Sequence, residues 1–68
     1  MKIFLNGEAR EVTATTLSAL LNELGYAEED VTPLATAVNE TFVPAAARAM
    51  TTLAEGDRLE ILGPRQGG

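Results

Sequence analysis

The chain opens with Lys2-Ile3-Phe4-Leu5, a short β-branched and aromatic run closed by Asn6-Gly7. Asn-Gly between two extended segments predicts a hairpin, because a type I′ turn needs positive φ at both central positions. The return strand is Glu8 to Val12, antiparallel to the first. After Thr13-Ala14-Thr15-Thr16, Leu17, Leu20, Leu21 and Leu24 recur at the spacing of one apolar helical stripe, with Ser18, Ala19, Asn22 and Glu23 between them. The spacing predicts a helix over 17–24. Thr15 or Thr16 serves as its N-cap, and Gly25 sits where a left-handed residue ends a helix.

Downstream, the acidic run Glu28-Glu29-Asp30 reads as a solvated loop rather than an interface. Leu34 to Asn39 reads as a central strand, and Thr41-Phe42-Val43 as a short partner stopped by Pro44. Pro44 to Met50 fits either a helical turn or a loop. Glu55-Gly56-Asp57 is a turn, and in Arg58-Leu59-Glu60-Ile61-Leu62 the apolar residues alternate with charged ones, as in a half-buried strand. The order is strand-strand-helix-strand-strand-strand. One amphipathic helix needs an apolar sheet face to cover, which Ile3, Leu5, Ala35 or Ala37, Leu59 and Ile61 supply. This is a small α+β domain, a mixed sheet of four to five strands packed on one main helix. With the first and last strands as neighbours, as in a β-grasp, the last strand lies near the sheet centre. Residues 1–62 then form the domain, and residues 63–68 a flexible C-terminal tail projecting from it.

Composition narrows the chemistry. Sixty-eight residues make one small domain, and at this size only about 60% of the unfolded surface is buried, so stability is marginal. Without Cys there is no disulfide framework, zinc knuckle or thiol nucleophile; without His the commonest metal ligand and general base is missing. Ten acidic residues against five scattered basic ones argue against nucleic acid as a partner. The first apolar run is too short for a signal peptide, and no segment approaches a membrane span. A cytoplasmic protein that does not engage membranes is expected, acted upon rather than acting.

The tail Gly63-Pro64-Arg65-Gln66-Gly67-Gly68 is the most informative segment. Two terminal glycines arise by chance in roughly one chain in 200 at ~7% usage. Composition alone allows a frayed end. Chemically, a backbone without Cβ atoms threads a narrow channel and presents its carboxylate without steric bulk. Attack of that carboxylate on the α-phosphate of ATP, in another protein's site, gives an acyl-adenylate, and Gly68 becomes an electrophile. Phe4 points opposite to Ile3 and Leu5, and Leu62 opposite to Ile61, which places both on the sheet face away from the helix. That position suits ordinary apolar surface, packing beneath Pro44–Met50, or a patch on which a partner docks.

Taken in order, these pieces resemble the ThiS-type sulfur carriers of thiamine biosynthesis, which are ubiquitin-like β-grasp proteins. The resemblance is carried by Met1-Lys2-Ile3 with Leu5-Asn6-Gly7-Glu8, Leu17-Ser18-Ala19-Leu20-Leu21, Ala37-Val38-Asn39-Glu40 with Val43-Pro44, Leu53 with Glu55 to Leu62, and Gly67-Gly68. It spans nearly the whole chain. The departure is Asn39-Glu40-Thr41, where the family has Asn-Gly.

The resemblance implies a carrier and co-substrate, not an enzyme. An E1-like, ThiF-type adenylyltransferase uses ATP and Mg²⁺ to adenylate the Gly68 carboxylate, while the carrier itself binds no cofactor. A desulfurase or sulfurtransferase supplies the sulfur of a C-terminal thiocarboxylate, and a ThiG-type thiazole synthase takes it. Gly67, Gln66 and Arg65 are then the residues by which the tail is recognised, Phe4 and Leu62 the docking patch, and the free chain is a monomer. A molybdopterin-type carrier, a carrier for another pathway or a ubiquitin-like protein modifier shares the same tail. A plain β-grasp interaction module has no need of it.

Overall fold

The computed structural model describes residues 1–63. The hairpin forms as the Asn-Gly pair dictates: β1 (Lys2–Leu5) pairs antiparallel with β2 (Glu8–Glu11), and Asn6 and Gly7 adopt φ of 49° and 89°. α1 (Leu17–Glu23) follows, with Leu17, Leu20 and Leu21 buried. Its N-cap is Thr16, whose hydroxyl accepts from the Ala19 N–H at 3.2 Å. The orphan N–H of Leu17 reaches the Thr51 carbonyl at 3.0 Å, which ties the helix start to the segment before β5. Gly25, at φ 98°, ends the helix where the left-handed residue was expected.

The acidic run is not a simple loop. Glu28–Val31 forms a one-turn helix, α2, with all three acids in its first turn, where they favour the positive end of the peptide dipoles. β3 (Ala35–Val38) and β4 (Thr41–Val43) form a second antiparallel hairpin. Ala45–Met50 resolves the helix-or-loop alternative as a 3₁₀ helix, and β5 (Arg58–Leu62) completes the sheet.

Strand order is β2-β1-β5-β3-β4, with β5 parallel to β1 and antiparallel to β3. The last strand is therefore the middle strand of a mixed five-stranded sheet, as the β-grasp expectation required. The main core packs α1 on this sheet: Ile3, Val12, Ala14, Leu17, Leu20, Val43, Leu53 and Leu59 form one buried cluster. Leu21, Leu34 and Ile61 form a second beside it.

The parity of β3 is the reverse of the expectation. Neither Ala35 nor Ala37 faces the helix; Thr36 does, 1% exposed, and the two alanines lie on the other face. A buried hydroxyl there is tolerated because it is doubly bonded: Thr36 Oγ1 donates to the Val43 carbonyl at 2.8 Å and accepts from Arg48 Nε at 3.1 Å.

Arg48, 4% exposed on the 3₁₀ helix, is the buried cation of the described residues. Its terminal nitrogens donate to the carbonyls of Val31 and Leu34, each at 2.6 Å. The Val31 oxygen lies at the C-terminal end of α2, where carbonyls carry partial negative charge, and the Leu34 oxygen lies just before β3, so the guanidinium is compensated by backbone rather than by a carboxylate. Arg48 thereby ties α2, β3 and the 3₁₀ helix together on the helix side of the sheet.

Candidate functional site

The exit of β5 is where the fold hands over to the tail. Gly63 is the last described residue; Arg65, Gln66, Gly67 and Gly68, the residues expected to carry and present the reactive carboxylate, lie outside the described residues. What precedes them is well defined. Leu62 faces Ala35 in register, so β5 is paired on its β3 side up to the last strand residue.

The sheet face away from α1 is left uncovered among the described residues. On it Leu62 is 62% exposed and Phe42 65% exposed. Register places Glu60, Ala37 and Phe42 in one row across β5, β3 and β4, with Leu62 and Ala35 in the next. An apolar surface thus flanks the β5 exit, bordered by Glu60. Leu62 occupies the face expected for it, and Phe42 joins it there. Phe4 also lies on this face but is half-buried, opposite Arg58 in register, with the Lys2 ammonium 5.9 Å from its ring centre. Four residues of β5 separate that row from Leu62, about 13 Å at the strand rise. Phe4 and Leu62 therefore share this face four strand positions apart, and the 3₁₀ helix, held to Thr36, packs on the opposite face. The sequence does not single out Phe42; its alternation with buried Val43 along the short strand is the signal that places it on this face.

β5 is gripped at both ends by asparagines of the two hairpin turns. At its start, Asn39 N–H donates to the Arg58 carbonyl at 2.7 Å, and Asn39 Oδ1 accepts from the Arg58 N–H at 2.9 Å. Asn39 Nδ2 donates to Asp57 Oδ1 at 3.0 Å, while Asp57 Oδ2 takes the Ala54 N–H at 2.8 Å. At its end, the Asn6 carboxamide accepts from the Ile61 N–H at 3.0 Å and donates to the Ile61 carbonyl at 3.2 Å.

Two grooves stand out among the described residues. The larger, about 610 Å³, lies between α1, α2 and the 3₁₀ helix and is lined by Ser18, Asn22, Tyr26, Thr32 and Arg48 among others. The other, about 480 Å³, is lined by Phe4, Gly56 and Arg58 near the start of β5 and by Gly7 and Glu60 further along it. Among the described residues there is no group of three or more carboxylates that could hold a metal ion, and no helix is long and apolar enough to cross a membrane.

Among the described residues, two groups have displaced titrations. A hydrogen bond to Glu11 raises the Met1 amine. Glu23 is lowered, chiefly by the Thr13 N–H and then by the Ala14 N–H, which its carboxylate accepts at 3.0 Å and 2.8 Å, together with the Thr13 hydroxyl. That carboxylate pins the loop after β2 to the end of α1, away from the β5 exit.

Comparison with known proteins places this architecture. The model of the ThiS family matches residues 3–68. A thiazole synthase from Paramagnetospirillum magneticum is 40% identical over 63 residues, which make up 91% of this chain and 18% of that protein. The crystal structure of a thiamine biosynthesis protein (ThiS) from Geobacter metallireducens aligns with a TM-score of 0.81 at 25% identity over 100% of both chains. An NMR solution structure of a thiamine biosynthesis protein from the same organism gives 0.78 at 25% identity, over 100% of this chain and 88% of that one.

Proposed function

Because the chain belongs to the ThiS family, we propose that it is a sulfur carrier of thiamine biosynthesis whose reactive group is the α-carboxylate of Gly68. A carboxylate oxygen of Gly68 attacks the α-phosphorus of ATP in the site of an E1-like adenylyltransferase, and pyrophosphate leaves. The outer sulfur of a persulfide on a desulfurase or sulfurtransferase attacks the acyl carbon, and the bond to AMP breaks. A thiol then cleaves the resulting acyl disulfide, ending as a disulfide itself and leaving Gly68 as a thiocarboxylate. Thiazole synthase then takes the sulfur. ATP and Mg²⁺ belong to the activating enzyme, and this chain is the co-substrate.

The observation that carries the reading is the continuity of the family match through Gly68, beyond a central strand that ends beside an uncovered apolar face. Absence of Cβ atoms at Gly67 and Gly68 lets the tip enter a channel that larger residues would block. Arg65 and Gln66 supply the polar contacts of the stem. Leu62 and Phe42 form the surface on which the activating enzyme seats the domain, with Phe4 peripheral to it. Phe42→Ser then raises the KM for the carrier and leaves kcat near that of the unaltered chain. The 40% identical segment within a protein named thiazole synthase supports that enzyme as the acceptor, and favours this pathway over a molybdopterin-type one.

The test is to append one alanine after Gly68 and measure ATP–pyrophosphate exchange with the cognate adenylyltransferase. Displacing the carboxylate by one residue should lower exchange by about 100-fold or more. Exchange at the unaltered rate would overturn the mechanism.

A further inference from the structure

β1 and β5 pair through only two residue positions, Phe4 with Arg58 and Leu5 with Leu59, and the Asn6 N–H adds one bond to the Leu59 carbonyl at 2.9 Å. There β1 stops, because Asn6 and Gly7 turn the chain into β2 on the far side of β1. Strand geometry aims the N–H and C=O of Ile61 to the same side as those of Leu59, toward a β1 that has already turned away. The side chain of Asn6 fills that place. Its carboxamide presents a donor and an acceptor as a peptide group would, and takes both groups of Ile61. A turn requires only Asn or Gly at this φ; the turn by itself does not require a side chain reaching across to another strand.

We propose that Asn6 is a positioning residue for adenylation: by extending the β1 edge through its side chain, it fixes the exit of β5 and so the direction in which the C-terminal segment leaves the domain. This rests on the carrier reading above. With Leu62 paired to Ala35 on one side and Ile61 to Asn6 on the other, the strand is held on both edges until one residue before Gly63. Five residues follow Gly63. Fully extended, the seven steps from Ile61 to Gly68 span about 24 Å, so a swing of about 10° at Ile61 would move the far end of an extended segment by about 4 Å. Displacements of that size at a reacting atom weigh heavily on rate. They weigh little on docking, which is set by the sheet face.

The experiment measures kcat and KM for the carrier in ATP–pyrophosphate exchange, using the full chain and its adenylyltransferase, together with amide hydrogen exchange. Asn6→Gly keeps the positive φ and removes both bonds to Ile61. It should lower kcat about tenfold with KM within about twofold, because orientation rather than docking is lost. The Ile61 amide should lose protection while those of Ile3 and Leu59 keep theirs. Asn6→Asp keeps the acceptor for the Ile61 N–H and loses the donor, so its kcat should fall between the two; it decides the matter if the glycine variant does not fold. Either variant with kcat unchanged and the Ile61 amide exposed to exchange, or with only KM raised, overturns the proposal. An unaltered chain that is not adenylated at all counts against the carrier reading instead.

Discussion

The two asparagine turns on either side of β5 have nearly the same backbone and hold opposite ends of the same strand. Asn6-Gly7 has φ of 49° and 89°, and Asn39-Glu40 has 50° and 72°. At the entry, Asn39 is one member of a network that includes Arg58, Asp57 and Ala54. At the exit, Asn6 alone meets Ile61 on that edge. The entry is over-determined, whereas on its β1 edge the exit is held by one carboxamide. Redundancy suits a part of the molecule that only has to stay folded; a single contact leaves the exit sensitive to one substitution. The second residue of each turn differs as well: glycine adopts the left-handed conformation without strain, whereas Glu40 adopts it against the clash of its Cβ with the backbone.

Substitutions at the entry should therefore show in stability and not in catalysis. Asn39→Ala loses the side-chain bonds to Arg58 and Asp57 and puts at φ 50° a residue that tolerates the left-handed region less well than asparagine, and should cost about 2–3 kcal/mol in denaturant unfolding. Adenylation kcat at a temperature where the variant is folded should stay within about twofold of the unaltered chain, since the β5 exit is untouched. Asn39→Gly relieves the backbone and removes only the side-chain bonds, so the loss should shrink to about 1 kcal/mol. A kcat defect in the glycine variant as large as that of Asn6→Gly would erase the distinction between the two ends. Glu40→Gly should go the other way, stabilising the chain by up to about 1 kcal/mol as the left-handed strain is relieved, again with unchanged exchange kinetics.

The smallest effect comes from a region that neither turn touches. Glu23 is held below the usual carboxylate range by its hydrogen bonds, so its stabilisation is full above the ordinary glutamate pKa and is lost as pH falls through its folded value. Glu23→Gln should flatten this acid limb of the unfolding curve. Its effect should add to that of Asn39→Gly, because the two sites share no partner.

Much of this fold is written locally. The leucine stripe gives α1, Asn6-Gly7 gives the first hairpin, and the alternation in Arg58–Leu62 gives β5, because in each case burial demands a period that side chains reveal. Ala35-Thr36-Ala37 does not, since small side chains differ too little in hydropathy to declare which face is buried, and Arg48 bonds decide it from across the chain. Arg48 itself carries no local sign of burial; its compensation is by backbone carbonyls of Val31 and Leu34, which no composition count includes. The three acids of Glu28–Val31 look equally at home in a loop and in the first turn of a helix. At the candidate site, Leu62 was legible from strand parity and the Gly-Gly ending from composition. The second role of Asn6 was concealed by its first, because the turn already accounts for an asparagine there.

The claim on which the account turns is that Gly68 carries sulfur, and intact-mass analysis of the chain isolated from its own cells tests it most directly. The account predicts a species heavier by the exchange of one oxygen for one sulfur, with fragmentation placing the exchange at Gly68, and its loss when the cognate adenylyltransferase is deleted. A chain that shows only the carboxylate form while those cells make thiazole, or that carries sulfur elsewhere, would contradict it.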